Sequence, residues 1–258
     1  MLEIHPIKAF SDNYLWLFNE KGSSKACIVD PGDADPVKAY LKKENLTLSA
    51  ILLTHHHADH IGGVNELLNH YNVPVYGPRS AAIPLVTHTL HEGDTIIAGN
   101  TSFTVLEIPG HTLDHIAYLT DEGSNAVPSL FCGDTLFAGG CGRIFEGTPE
   151  MMYGSLQKLA ALNPETQVYC AHEYTLNNLA FAEAVTPEDA ELQQRIQQEK
   201  WKRSKDTPTI PTSIGLELKT NPFLRCAEQS IIKKFQNQPK QPEPVEVFTA
   251  LRKWKDRF

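Results

Sequence analysis

The chain has 258 residues, 41% of them hydrophobic and 21% charged, with a formal net charge of -8. That length can bury a substantial core, as one large domain or as one large and one small. The acidity argues against general binding to nucleic acid or to an anionic membrane. Cys27, Cys132, Cys141, Cys170 and Cys226 form no C-x-x-C pair and are odd in number. This reads as reduced, mostly buried thiols in a reducing compartment. MLEIHPIKAF has neither a basic nor an apolar signal region, and no apolar run approaches the ~20 residues of a membrane span. A cytoplasmic chain is expected.

In chain order, the runs LEIHPIKA, NYLWLFNE, KACIVD, AILLT, VPVYG, DTIIAG, TSFTVLEIP, HIAYLT, VPSLFCG and QVYCA read as strands. They are rich in β-branched and aromatic residues and are bounded by Gly, Pro, Asn or Asp. Helices are predicted between them over 36–45, over 62–71 with Val64, Leu67, Leu68 and Tyr71 on one face, and over 149–162. Thr148 would cap the last of these, with Pro149 at its first position. After about residue 173 strand-like runs stop. Residues 174–204 read as helical, DTPTIPTSIG as a connection, and VEVFTALRKWKDRF as an amphipathic helix sharing Val247, Leu251 and Trp254 on a face. The expected division is therefore an α/β domain and a smaller helical one.

Five of the strand-like runs end in a histidine or aspartate: KACIV in Asp30, AILL in the stretch THHHADH, FTVLEIP in His111, SLFC in Asp134 and QVYCA in His172. Ligand sites in layered α/β folds collect at such ends, so these ends are expected on one edge of the sheet. His70, His88 and His91 read as ordinary surface or hydrogen-bonded core residues. THHHADH does not, because four imidazoles side by side repel when protonated and serve no packing purpose. Metal binding is the reading. His55 and His57, two apart, point to the same side of an extended loop. Asp59 and His60 open a helical turn and can point together toward a second position, while His56 should face away. One site using all four groups would strain so short a loop. Two neighbouring sites are easier to build, with His111, Asp134 and His172 available as further ligands. A set of imidazoles and carboxylates without thiolate favours Zn, Fe or Mn at an open catalytic site.

THHHADHIGG, PGHTLDH, FCGDTLFAGGCGRIFEG, AHEYTLNNLAFA, TNPFLR and LRKWKDRF resemble the glyoxalase II (hydroxyacylglutathione hydrolase) family of the metallo-β-lactamase superfamily, over nearly the whole chain. The resemblance implies an αββα sandwich with a smaller C-terminal helical domain, divided as residues 1–173 for metal and 174–258 for glutathione. It implies two divalent ions, Zn first, with Fe or Mn possible. His55, His57 and His111 would hold one ion, Asp59, His60 and His172 the other, and Asp134 both.

The implied reaction is hydrolysis of S-D-lactoylglutathione to glutathione and D-lactate by a hydroxide shared between the ions, with Asp59 and Asp134 at the reacting centre. This is a step in methylglyoxal detoxification. Glutathione would lie against Arg143, Phe145, Tyr174, Arg252 and Lys255. Arg143 and Phe145 depart from the Lys and Tyr common in the family, which exchanges a point charge for a fork and removes a hydroxyl. Asp30 is expected to accept a hydrogen bond from a ligand histidine; a plain turn is the other reading. A monomer acting on a small molecule, without nucleic acid or membrane, is expected. The competing readings are a one-iron glutathione persulfide dioxygenase on the same fold and a non-enzymatic metal-binding protein. A β-lactamase and a nuclease fit less well.

Overall fold

The computed structural model describes residues 2–120, 127–235 and 241–258. Two packed units divide the chain: Met1–Glu107 with Asp114–Gly133, and Ile108–Leu113 with Asp134–Phe258.

In the first unit, β1 (Leu2–Ala9), β2 (Asn13–Glu20), β3 (Lys25–Val29), β4 (Thr47–Leu52), β5 (Val75–Pro78) and β6 (His88–Leu90) lie side by side in that order. β1, β2 and β3 pair antiparallel; β3 to β6 pair parallel. Helix α1 (Ala34–Lys43) begins where the Asp33 carboxylate accepts from the Asp35 N–H at 3.0 Å, which sets its start ahead of the predicted Pro36. The helix predicted over 62–71 is α3 (Val64–His70), and the short α2 (Ala58–Ile61) precedes it, with Gly62 and Gly63 between them. Val37 and Leu41 of α1 and Val64 and Leu67 of α3 bury one face of the sheet, against Ile7, Leu15 and Leu17.

The other face meets β7 (Thr95–Ala98), β8 (Thr101–Glu107), β9 (Ile116–Thr120) and β10 (Ser129–Gly133), an antiparallel run in the order β10-β9-β8-β7. Phe18 packs on Phe103 at 5.3 Å and on Phe131 at 5.7 Å between ring centroids. With both faces covered, NYLWLFN is buried throughout, so it reads as a continuous apolar run without alternation.

Strand sense then gathers the loops. β3 and β4 are parallel, so Asp30 and THHHADH leave the same edge of their sheet. β8 and β10 are each antiparallel to β9, so they share a direction and end at one edge of theirs.

The second unit holds a small hairpin of β11 (Leu136–Phe137) and β12 (Gly140–Cys141), then α4 (Pro149–Ala160) and β13 (Gln167–Cys170). After these come α5 (Thr175–Val185), α6 (Ala190–Ser204), β14 (Thr212–Ser213), α7 (Ile214–Thr220), α8 (Gln229–Phe235) and α9 (Pro244–Lys255). Thr148 caps α4 through the Met151 N–H at 3.3 Å, with Pro149 in the first turn. α5 and α6 share Leu179, Ala182, Leu192 and Ile196. α9 buries Val247, Phe248 and Leu251, and Phe248 lies 5.8 Å from Phe223 and 5.7 Å from Tyr153. Residues 134–173 therefore pack with the C-terminal helices. The strands of β6, β11, β12 and β14 are two or three residues long, and α7 lies at the tail of the Pro- and Thr-rich connection. None of these has the length that periodicity needs to register.

Candidate metal centre and substrate pocket

The histidine stretch is organised by Asp30, which follows β3. One carboxylate oxygen accepts from the Thr54 N–H at 2.8 Å; the other accepts from the Thr54 hydroxyl at 2.7 Å and lies 3.0 Å from His60 Nδ1. A carboxylate only accepts, so His60 carries its proton on Nδ1 and presents Nε2 as the unprotonated nitrogen. The Thr54 hydroxyl spends its proton on Asp30, so at 3.0 Å it accepts from His55 Nδ1. His55 is thereby set in the same tautomer. The His55 ring centroid lies 4.8 Å from that of His57 and 4.1 Å from that of His60. His55 and His60 are buried, while Asp59 is half-buried and accepts from Asn13 Nδ2 at 3.0 Å. Asp30, His55 and His60 form a cluster whose candidate ligand atoms lie within 4.8 Å of one another.

His56 is set apart from this cluster. Its Nδ1 lies 3.0 and 2.9 Å from the two oxygens of Asp114. His115 stacks on His55 at 4.5 Å and 15°. Asn13, Thr54, Asp114 and His115 were not singled out on sequence. Thr54, Asp114 and His115 carried a signal, since Thr54 opens THHHADH and the other two lie in PGHTLDH with His111.

In the second unit, His111, Asp134 and His172 converge. Asp134 Oδ2 lies 3.4 Å from His111 Nε2 and 3.3 Å from His172 Nε2, and all three residues are buried. His111 Nδ1 lies 2.8 Å from the Arg143 carbonyl, which only accepts. In the neutral ring the proton therefore sits on Nδ1, with the Nε2 lone pair toward the carboxylate oxygen of Asp134. A divalent cation between the two would meet a lone pair from each. The donor set of imidazoles and carboxylates, with protons anchored on the far nitrogens, fits a catalytic divalent ion. Gly142 lets the chain pass against the backbone of Asp134, since a Cβ there would stand 1.9 Å from the Asp134 carbonyl oxygen.

Beside this trio is a cavity of about 650 Å³ lined by His111, Asp134, Phe137, Cys141, Arg143, Phe145, Tyr174 and residues of α5 and α9. That volume suits a small ligand. Tyr174 stacks on His172 at 4.6 Å and 5°, and Phe145 meets His111 edge-on at 5.3 Å. Phe145 is 63% exposed, and Arg143 is exposed as well.

Lys255 Nζ donates to the Asn177 carbonyl at 3.1 Å and lies over the rings of Phe181 and Phe258. Burial pulls its pKa down to about 8, and the neighbouring charges of Arg252 and Arg143 add to this. Arg252, expected to lie against glutathione, lines this cavity. It is buried, donates to the Cys141 carbonyl at 2.9 Å, pairs with Asp256 at 2.9 Å and lies over the Phe223 ring. Its fork holds protein. Burial pushes the Cys27 thiol to about 11 and the Cys170 thiol to about 12, and raises Cys141 as well, so these cysteines offer no ready thiolate.

The family description "Metallo-beta-lactamase superfamily" matches residues 13–172, and "Hydroxyacylglutathione hydrolase C-terminus" matches residues 173–258. A Vibrio parahaemolyticus protein named hydroxyacylglutathione hydrolase is 51% identical, over 100% of this chain and 100% of its own. The solved BLEG-1 B3 metallo-beta-lactamase is 26% identical with a TM-score of 0.62, over 87% of this chain and 99% of its own. TTHA1623, solved in a di-iron-bound form, is 27% identical with a TM-score of 0.62, over 85% of this chain and 100% of its own.

Proposed function

The chain belongs to the hydroxyacylglutathione hydrolases of the metallo-β-lactamase superfamily, and we propose that its histidine and aspartate sets serve two divalent ions in the hydrolysis of a glutathione thioester. Its fold is the metallo-β-lactamase α/β fold with a helical C-terminal region. Its activity is that of a thioesterase; the dioxygenase and non-enzymatic readings are not favoured by relatives about half identical over their full length. On this reading the substrate is S-D-lactoylglutathione and the products are glutathione and D-lactate.

His55, His57 and His111 would hold one ion, Asp59, His60 and His172 the other, and Asp134 both. The single observation that carries this is the Asp134 carboxylate, flanked by two imidazole Nε2 atoms at 3.4 and 3.3 Å. Zn is the first choice for this donor set, with Fe or Mn compatible; the di-iron form of TTHA1623 gives Fe added weight. When bound, such ions act as Lewis acids and lower the pKa of water toward ~7.

The chain's own residues do the rest. Asp30, Thr54 and the Arg143 carbonyl hold protons on the far nitrogens of His60, His55 and His111, so each presents the correct nitrogen. Asp59, steadied by Asn13, and Asp134 place carboxylates at the reacting centre, where they can accept a proton from the attacking water. The leaving group is a thiolate with a pKa near ~8.5, so no strong acid is required. Arg143 and Lys255 face glutathione carboxylates with positive charge, Tyr174 and Phe145 offer ring faces to the tripeptide, and Arg252 acts by fixing the wall of the pocket.

A division of labour near 173/174 is supported by the two family matches, which meet at 172/173. Five free, buried cysteines suit a reducing, cytoplasmic setting. A monomer suffices, because one chain supplies every residue named. Asp134→Ala is the direct test. The variant is expected to lose at least one metal ion and more than ~100-fold in turnover, beyond the cost of losing an outer partner. Two bound ions with wild-type turnover would overturn the assignment.

A further inference from the structure

The hairpin that follows Asp134 is too short to stand alone. β11 and β12 pair only Leu136 with Cys141 and Phe137 with Gly140, and isolated hairpins are marginal even when longer. Yet it carries much of the site: Asp134 precedes it, Phe137 and Cys141 line the pocket, and Arg143, whose carbonyl sets the His111 tautomer, follows it. Side chains from the C-terminal helices hold its backbone one residue after another. Asn221 Nδ2 donates to the Phe137 carbonyl at 3.3 Å and to the Gly140 carbonyl at 2.9 Å. Asn178 Nδ2 donates to the Ala138 carbonyl at 3.2 Å, Glu217 accepts from the Gly139 N–H at 2.8 Å, and Arg252 donates to the Cys141 carbonyl. All five backbone positions from Phe137 to Cys141 are gripped.

Glu217 is the hub. It is fully buried, and four donors converge on its two oxygens. One oxygen accepts from Arg195 at 2.5 Å and the Thr212 hydroxyl at 2.6 Å, the other from Gly139 N–H and from Asn221 at 2.9 Å. Only a carboxylate accepts on both sides; a glutamine would turn a donor toward donors. A buried ion pair of this kind is weak grounds for stability, because an apolar pair of similar volume often serves as well. Its geometry here gives it a further use.

We propose that Glu217 and Asn221 are positioning residues for the metal centre: with Glu217 paired to Arg195, they clamp the 136–141 hairpin and so set Asp134 and the Arg143 carbonyl that orients His111. This rests on the reading of His111 and Asp134 as ligands. It gives the C-terminal helical segment a part in the metal chemistry besides the walls of the substrate pocket.

The experiment compares full-length wild type, Asn221→Ala and the paired Arg195→Met with Glu217→Met, measuring Zn affinity by competition with a chromogenic chelator, melting temperature, and kcat and KM for the thioester. Asn221→Ala is expected to weaken Zn binding roughly 10-fold and to lower kcat, the scale seen when partners that orient ligands are lost. The paired variant removes the buried charges together, so its melting temperature should stay near that of wild type while Zn affinity and kcat are low. Wild-type Zn affinity and kcat in the paired variant would make the network purely structural and overturn the proposal. Wild-type Zn affinity in Asn221→Ala would overturn it whatever the paired variant does. His111→Ala run alongside separates the two claims, because unchanged Zn binding there means the ligand reading is what fails.

Discussion

Between Asp30 and His60 the two buried imidazoles are oriented from within the stretch, with Asp30 to His60 spanning 30 residues and Thr54 to His55 one. Between Phe137 and Cys141 the backbone is held by side chains 40 to 111 residues away. The first stretch is a self-contained frame in which one carboxylate sets two imidazoles. The second is a loop with little structure of its own, shaped by the helices that follow it. The contrast teaches that ligand sets within one enzyme can be built by local and by long-range means, and that the two should fail differently.

The sharpest way to break the comparison is at Asp30. Asp30→Ala removes the acceptor for His60 Nδ1 and, through Thr54, loosens His55. Metal affinity is expected to fall toward the upper end of the ~10–100-fold range for outer partners, measured by chelator competition. A loss smaller than that of Asn221→Ala would mean the local frame is the less important of the two. The next effect concerns the pocket. Lys255 keeps its charge below about pH 8 and loses it above, because burial and the nearby arginines depress its pKa. KM for the thioester should therefore rise roughly 10-fold between pH 7 and 9, the scale of a hydrogen bond to a charged group. Lys255→Met should show the high KM at both ends and no step. A step that persists in the variant belongs to another group. The smallest effect is at Phe145, exposed at the pocket rim. Phe145→Tyr restores a hydroxyl and is expected to lower KM about 2- to 10-fold, one net hydrogen bond, with kcat unchanged. Equal KM would show that the ring face alone is used there.

The same contrast decides what could be read in advance. THHHADH announces itself because its residue types are rare, adjacent and preceded by an apolar strand. His111, Asp134 and His172 could be found because each ends a strand-like run, and strand ends gather in layered folds. The ten strand runs were legible from β-branched and aromatic content and the turn residues that bound them, and the principal helices from periodicity and caps, as Thr148 and Pro149 illustrate. What stayed hidden depended on tertiary pairing. Glu217 sits in GLELKT, a segment without unusual composition, and nothing local says that its carboxylate meets Gly139. Arg252 and Lys255 looked alike, three apart on a basic helix, but one fork is filled by the Cys141 carbonyl and Asp256 while the other ammonium sits over two rings. Asn13 reaches Asp59 from 46 residues away and carried no signal at all.

The central claim is that the two sets of donors hold two ions that act together. Stripping the purified chain of metal and titrating Zn back, with bound metal and thioester turnover followed at each addition, tests it most directly. Turnover should reach its full value only as the second equivalent binds, and Asp134→Ala should never reach it. Full turnover in the stripped chain, or at a single equivalent with no further rise, would contradict the account.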